Sequence, residues 1–107
     1  MNYLPIAYVA PKGIRDLRTY IRHRDWLFGQ RIRAKNRVHA VLARYNLVSP
    51  VTELFGTKGR EFLDEILPTL RQAARRVVLD SLALIEHFNE DIENLEDEFI
   101  LTSEQKT

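Results

Sequence analysis

Apolar residues recur every three, four or seven positions between residues 13 and 46, which is the period of an α-helix. Proline is absent from this stretch, and Gly29 is the only glycine in its interior. Two neighbouring apolar stripes run along it, one formed by Ile14, Leu17, Ile21, Phe28, Ile32, His39 and Leu42 and the other by Leu27, Ala34, Val38, Val41 and Tyr45. The pattern predicts a long helix over 13–46, preceded by an extended lead-in over 1–12.

A second long apolar pattern occupies residues 69–101 and steps in heptad-like intervals. Its members are Leu70, Ala74, Val77, Ser81, Leu84, Phe88, Ile92, Leu95 and Phe99, widened by Val78, Leu82 and Ile85. Thr69 and Gln72 have the spacing of a capping box, in which both side chains bind free amides at a helix start. We expect a second long helix over 69–101 and a frayed polar tail over 102–107.

The segment between the two long helices, 47–68, is predicted to be a short helical elbow. Ser49 followed by Pro50 is typical of a cap and the first turn of a helix. Thr57 is a suitable cap for a second short helix, which Pro68 would end.

This element order predicts an all-α fold in which a long helical hairpin contains a short helical elbow. Two helices cover only part of such wide apolar faces, so we expect a homodimer or a higher oligomer with a coiled-coil or four-helix-bundle-like core. The residues predicted to form this core or dimer contact are Leu17, Ile21, Phe28, Ile32, Leu42, Val77, Leu84, Phe88, Ile92 and Leu95.

The composition suits one modest domain, since the 107 residues are 45% apolar and 29% charged. Cysteine is absent, which excludes disulfides, thiolate nucleophiles and cysteine-bound zinc. The sequence has neither a membrane-spanning apolar run nor a basic segment leading into an apolar one, as a signal peptide would. We therefore expect a cytoplasmic protein without a membrane contact.

The net charge of +1 hides a strong asymmetry. Residues 1–60 contain twelve basic and three acidic residues, a net charge of +9, whereas 61–107 contain four and twelve, a net charge of −8. The two halves could pair with each other across the hairpin or the dimer contact. Alternatively, the basic helix could contact nucleic-acid phosphates without reading the bases. The predicted backbone contacts are Arg22, Arg24, Arg31, Arg33, Lys35 and Arg37.

No set of residues has the pattern of an active site. His87 precedes Glu90 and Asp91 by one helical turn, but a surface histidine explains this spacing better than a metal ligand does. The Gly56-Thr-Lys-Gly59 segment lacks the spacing and the preceding strand of a phosphate-binding loop. Trp26 and Phe28 are interpreted as packing residues rather than base-stacking ones. We therefore predict no catalytic residue, no metal and no cofactor.

Several short segments of the sequence resemble the middle region of DEDD, RuvC-like insertion-sequence transposases, the family named for insertion sequence one-hundred-ten. The most specific are Lys35-Asn-Arg-Val-His39 and Phe55-Gly-Thr-Lys-Gly-Arg60. The resemblance extends to Ala7-Tyr-Val-Ala-Pro11, Arg31-Ile-Arg-Ala-Lys-Asn-Arg-Val-His-Ala40 and Ile92-Glu-Asn-Leu-Glu96, and so covers nearly the whole chain.

The resemblance implies a non-catalytic part of a recombinase guided by a bridge RNA. In that family the catalytic carboxylates precede this region and the catalytic serine follows it, so no catalytic residue is carried over. The chain would be the helical coiled-coil insert used for subunit assembly, with its basic helix facing DNA or guide RNA. The main alternative is a stand-alone helical dimer, regulatory or antitoxin-like, that docks an acidic protein. A metal-dependent helical enzyme is a third interpretation.

Overall fold

A computed structural model describes residues 11–105, which form three α-helices and contain no strand. The helices are α1, Pro11–Arg44; α2, Thr57–Ile66; and α3, Gln72–Gln105, with a 3₁₀ turn, Leu67–Thr69, between the last two. The predicted all-α fold is confirmed. Most of the predicted lead-in, residues 1–10, lies outside the described residues, and its last two residues belong to α1. Helix α3 continues to Gln105, so the segment expected to fray from residue 102 is helical up to that point.

Helix α1 ends in a Schellman motif. Asn46 has a positive φ of 54°, a left-handed conformation that asparagine tolerates better than most residues do. The Leu47 amide donates to the Leu42 carbonyl at 2.9 Å, and the Asn46 amide donates to the Ala43 carbonyl at 3.1 Å. These bonds use carbonyls that the helix end leaves free, and they turn the chain away from the helix axis.

Residues 47–56, predicted to belong to a helical elbow, form turns and bends instead. Ser49 caps no helix there, because its hydroxyl lies 2.7 Å from the Val51 carbonyl and 3.1 Å from the Val51 amide in a local turn. Pro50 disfavours helical backbone at Ser49, which is consistent with a turn at this point.

Both predicted threonine caps are wrong. Helix α2 begins at Thr57, and the residue in the cap position is Gly56, which offers no side-chain hydrogen bond. The Thr69 hydroxyl donates to the Ile66 carbonyl at 2.6 Å, so it closes the end of α2 rather than opening α3. A hydroxyl can bind backbone on either side of a helix boundary, and here the preceding carbonyl takes it.

The chain divides into two compact units, and both α1 and α3 contribute to each. Within the described residues, the first unit comprises 11–31 and 87–105, and the second comprises 32–86. The second unit has the larger core, a single cluster of buried side chains from α1, the 47–56 segment, α2 and α3. Its members are Ala34, Val38, Val41, Leu42, Leu54, Leu63, Ile66, Leu70, Ala74, Val78, Leu82 and Ile85.

The first unit is a pair of helix segments with a thin core. Among the described residues of this unit, the buried apolar side chains are those of Leu17, Leu27 and Ile92. The segments run antiparallel, since Tyr20 contacts Phe99 near one end and Arg31 contacts Asn89 near the other. A two-helix pair buries only one stripe of each helix, which limits the apolar area that this unit removes from water.

The predicted core and dimer residues separate into three groups. Leu17, Leu42 and Ile92 are buried, whereas Phe28, Val77, Phe88 and Leu95 are half-buried. Ile21, Ile32 and Leu84 are exposed. The prediction that these three lie in the core of the chain is therefore wrong. The contact between two copies stays a prediction. On α1 the second apolar stripe carries most of the core, because it is the stripe that faces α3.

Candidate nucleic-acid interface

Three of the six predicted phosphate-binding cations are engaged within the chain. In the first unit, Arg24 donates from Nε and Nη2 to Glu96 Oε2, each at 3.2 Å. Arg31 donates from Nη1 to the side-chain oxygen of Asn89 at 2.8 Å. Both bonds cross from α1 to α3, so these arginines hold the pair of helices together and have less freedom to bind a phosphate.

Phe28 lies between these two arginines on α1. The guanidinium carbon of Arg24 is 4.4 Å from the centre of its ring, and that of Arg31 is 5.0 Å away. A guanidinium at this distance from an aromatic face is attracted by the ring and gives up little hydration. The Nε atom of Arg31 is buried without a hydrogen-bond partner. This arrangement assigns both arginines and Phe28 to the contact between the helices.

Lys35 in the second unit is engaged in a similar way. Its Nζ lies 5.3 Å from the centre of the Phe55 ring, and the His39 imidazole meets the same ring edge to face at 5.5 Å. The polar face of α1 therefore holds the 47–56 segment against the helix at this point.

The other three predicted cations, Arg22, Arg33 and Arg37, are exposed. None of them forms an ion pair or side-chain hydrogen bond with the side chains that the structure describes, those of residues 13–100. Helix geometry explains the separation: Arg22 and Arg24 are two positions apart, which is roughly 200° around the helix axis. Arg24 therefore faces α3 while Arg22 faces solvent. In each unit, α1 therefore has at least one exposed arginine without a partner among the described side chains.

Three of the six other cations in the second unit are engaged: Arg60, Arg75 and Arg76. Arg60 lies 3.3 Å from Asp64 and 3.2 Å from Glu86, and Arg76 lies 3.1 Å from Asp80. Arg75, which the sequence did not single out, donates to the Leu67 carbonyl at 3.1 Å and to the Leu70 carbonyl at 2.9 Å. All the described arginines of α2 and α3 are therefore engaged, unlike Arg33 and Arg37 of α1.

Sequence reasoning misplaced Trp26. Its side chain is 55% exposed, so Trp26 is not a core residue, and the choice of packing over base stacking stays a prediction. His23 stacks on the indole with ring centres 5.9 Å apart and planes 10° apart, and Phe88 meets it edge to face at 6.4 Å. The position of Arg22, four residues earlier and unpaired, could have drawn attention to this ring.

His87, the residue weighed as a metal ligand, contacts Asp91 instead, with Nε2 3.2 Å from Oδ2. Within residues 11–105, no three histidine or carboxylate side chains gather closely enough to hold a metal ion. In the same part of the chain, no helix combines the length and apolarity needed to cross a bilayer.

The chain matches no family model, no curated protein and no solved structure. The arrangement of side chains is thus the main guide to function. In each unit it offers exposed arginines on α1, and in the first unit it also offers cross-helix contacts and an exposed aromatic pair.

Proposed function

We propose that this chain is a non-catalytic helical assembly domain of a transposase of the family that its sequence resembles, and that α1 lies against a nucleic-acid backbone. Transposition requires a protein to hold DNA or RNA while subunits assemble. A basic helix with free guanidinium groups supplies the first function, and exposed apolar side chains supply the second.

The observation that carries the proposal is the absence of acidic partners for Arg22, Arg33 and Arg37 among the described side chains of residues 13–100. Fifteen acidic residues are present in the chain, and pairing is common on α2 and α3. Arginine is well suited to phosphate because its planar fork of donors fits two phosphate oxygens at once. Contacts of this kind position a helix on a backbone and carry no base sequence information.

The test compares two double substitutions within the second unit. R33Q/R37Q removes two unpaired guanidinium groups, and R60Q/R76Q removes two that are already paired with carboxylates. Both change the net charge equally and both lie on exposed surface. Binding of duplex DNA and of RNA is measured by fluorescence anisotropy over a series of salt concentrations.

We expect R33Q/R37Q to weaken binding at low salt and to reduce the slope of log affinity against log salt by about 2, roughly one unit for each lost phosphate contact. R60Q/R76Q should leave that slope nearly unchanged. Equal effects of the two variants would contradict the proposal, because binding would then follow total charge rather than the free face of α1.

Assembly into a homodimer is the second part of the proposal, and exposed apolar residues support it. Ile21 in the first unit and Ile32 in the second are 42% and 56% exposed, although isoleucine is among the residues most often buried. Light scattering over a range of concentrations, at low and at high salt, measures the mass in solution. We expect a dimer at both salt levels because apolar contacts do not depend on charge screening.

An Ile21→Lys variant should shift this equilibrium toward monomer, and Val48→Lys, on an exposed loop position, serves as the matched control. A wild-type chain that is monomeric at high micromolar concentration would overturn the dimer. A stable dimer that binds an acidic protein and no nucleic acid would instead favour the alternative of a stand-alone regulatory or antitoxin-like protein.

A further inference from the structure

The solvent face of α1 in the first unit combines exposed cations with an exposed aromatic ring. Arg18, Arg22 and Trp26 follow one another at intervals of four residues, so their side chains are neighbours on one side of the helix. Arg18 and Arg22 are exposed and form no ion pair with the described side chains of residues 13–100. Asp25 is the acid next to Trp26 in the sequence, and it forms no ion pair with either arginine.

Two neighbouring rings contact the indole of Trp26. His23 stacks nearly parallel to it, and the Phe88 ring from α3 meets it edge to face. Across the described residues Trp26 makes no further ring contact, and 55% of its surface is open. A large aromatic ring that is fixed in place and still open can receive another flat ring without a further ordering cost.

We propose that Trp26, supported by His23, is a stacking platform for an unpaired base, and that the nucleic acid bound by α1 is single-stranded at this point. This inference rests on the proposed nucleic-acid binding and adds the class of ligand. Arg18 and Arg22 would hold the phosphates on either side of the stacked base. Bases inside a duplex are stacked on each other and do not present a free face, so a duplex could use the arginines but not the indole.

Charge and aromatic character together favour a nucleic acid over another protein surface as the occupant. An apolar partner would leave the two guanidinium groups without acceptors, whereas a single strand supplies phosphate oxygens and an aromatic base within a short length of chain. Single-stranded RNA and DNA share this chemistry, so both are used as probes.

Trp26 is the sole tryptophan of the chain, and its fluorescence therefore reports on this site alone. The full chain is titrated at low salt with oligouridylate, with oligothymidylate and with a mixed-sequence DNA duplex, each about twelve nucleotides or base pairs long. Binding is followed in parallel by anisotropy of labelled oligonucleotides. We expect either single strand to quench the emission, and the one that binds more tightly identifies RNA or DNA as the source.

A Trp26→Leu variant should weaken single-strand binding about five-fold or more, while its duplex binding changes less than about two-fold. Trp26→Phe should retain part of the affinity because it keeps a ring. Leu79→Ala, which shortens another exposed apolar side chain, is the control and should bind like the wild type. Circular dichroism checks that the variants remain helical, and the wild-type quenching tests the proposal independently of them.

Single strands that bind without quenching, together with an unaffected Trp26→Leu variant, would overturn the stacking platform and leave the backbone contacts standing. An emission that changes with protein concentration instead of oligonucleotide would place Trp26 between copies of the chain and also overturn it. Absence of binding to every probe would contradict the proposed function itself.

Discussion

The two units of this chain use the same two helices and hold them by different means. In the second unit, the 47–56 segment and α2 add further layers, and apolar side chains from all of these elements close one core. Among the residues that the structure describes in the first unit, α1 and α3 pack against each other, and cross-helix hydrogen bonds, an ion pair and aromatic contacts supplement a thin apolar stripe.

The comparison shows how elements added to a helix pair, here the 47–56 segment and α2, increase the apolar area that the helices bury. Apolar burial stabilises in proportion to the area removed from water, and a pair of helices removes little. Exposed ion pairs and hydrogen bonds add modestly. The first unit is consequently the part with the exposed tryptophan ring, and the second is the part with the better-packed interior, while α1 carries exposed arginines in both.

Alanine substitutions of one glycine in each unit should give the largest difference in the free energy of unfolding. A Cβ atom at Gly59 would overlap the backbone carbonyl of Leu54, which cannot move without disturbing the turn that precedes α2. We expect Gly59→Ala to lower the free energy of unfolding by about 3 kcal/mol or more.

Gly29 is the matched control, because a Cβ there would meet no neighbouring atom within 4 Å. Alanine is the better helix former, so Gly29→Ala should raise the free energy of unfolding by roughly 0.5–1 kcal/mol. Urea unfolding followed by circular dichroism measures both. A Gly59→Ala chain as stable as the wild type would show that the approach of α2 to Leu54 is not tight.

Leucine truncation compares the two interiors directly. Leu63 in the second unit and Leu27 in the first are almost fully buried, at 0% and 2% exposure. Leu63→Ala should cost about 3–5 kcal/mol because a cavity enclosed by several elements cannot collapse. Leu27→Ala should cost about 2 kcal/mol, since a thin core lets neighbouring side chains or water fill the gap. Equal costs in urea unfolding would contradict the proposed difference in packing.

Substitution of one arginine in each unit should give a smaller difference in stability. Arg75 in the second unit donates to two backbone carbonyls and is half-buried, whereas Arg24 in the first binds an exposed carboxylate. Arg75→Met should cost about 1.5–3 kcal/mol, because it leaves carbonyls near the end of α2 without that donor. Arg24→Met should cost less than about 1 kcal/mol. Thermal unfolding of the two variants tests this order.

The sequence predicted the helices well because their apolar periodicity is long and is interrupted by few prolines or glycines. It could not choose between the two stripes of α1, since Ile21 and Ile32 repeat with the same period as Val38 and Val41. Only the position of the partner helix decides which stripe is buried, and that is a tertiary property.

The candidate site could likewise be predicted only in part from the sequence. The cluster of cations on α1 was visible from composition, but its separation into engaged and free arginines was not. Arg24 and Arg31 are engaged because Glu96 and Asn89 happen to lie opposite them on α3. Trp26 was misjudged because its spacing resembles that of core residues. The spacing of four residues between Arg22 and Trp26 is the signal that the sequence offered.

The smallest expected effect concerns the ion pair between Arg24 and Glu96. Both side chains are well exposed, at 37% and 48%, so water and salt screen their attraction. A double-mutant cycle with Arg24→Gln and Glu96→Gln should give a coupling energy of about 0.2–1 kcal/mol at low salt, falling toward zero in high salt. The pair of Arg76 and Asp80, which lies within one helix, is the control and should give about 0.3–0.5 kcal/mol. A coupling that survives high salt would mean that Phe28 shields the Arg24 guanidinium from water. The first unit would then depend on the arginine–aromatic contact more than on the charge of Glu96.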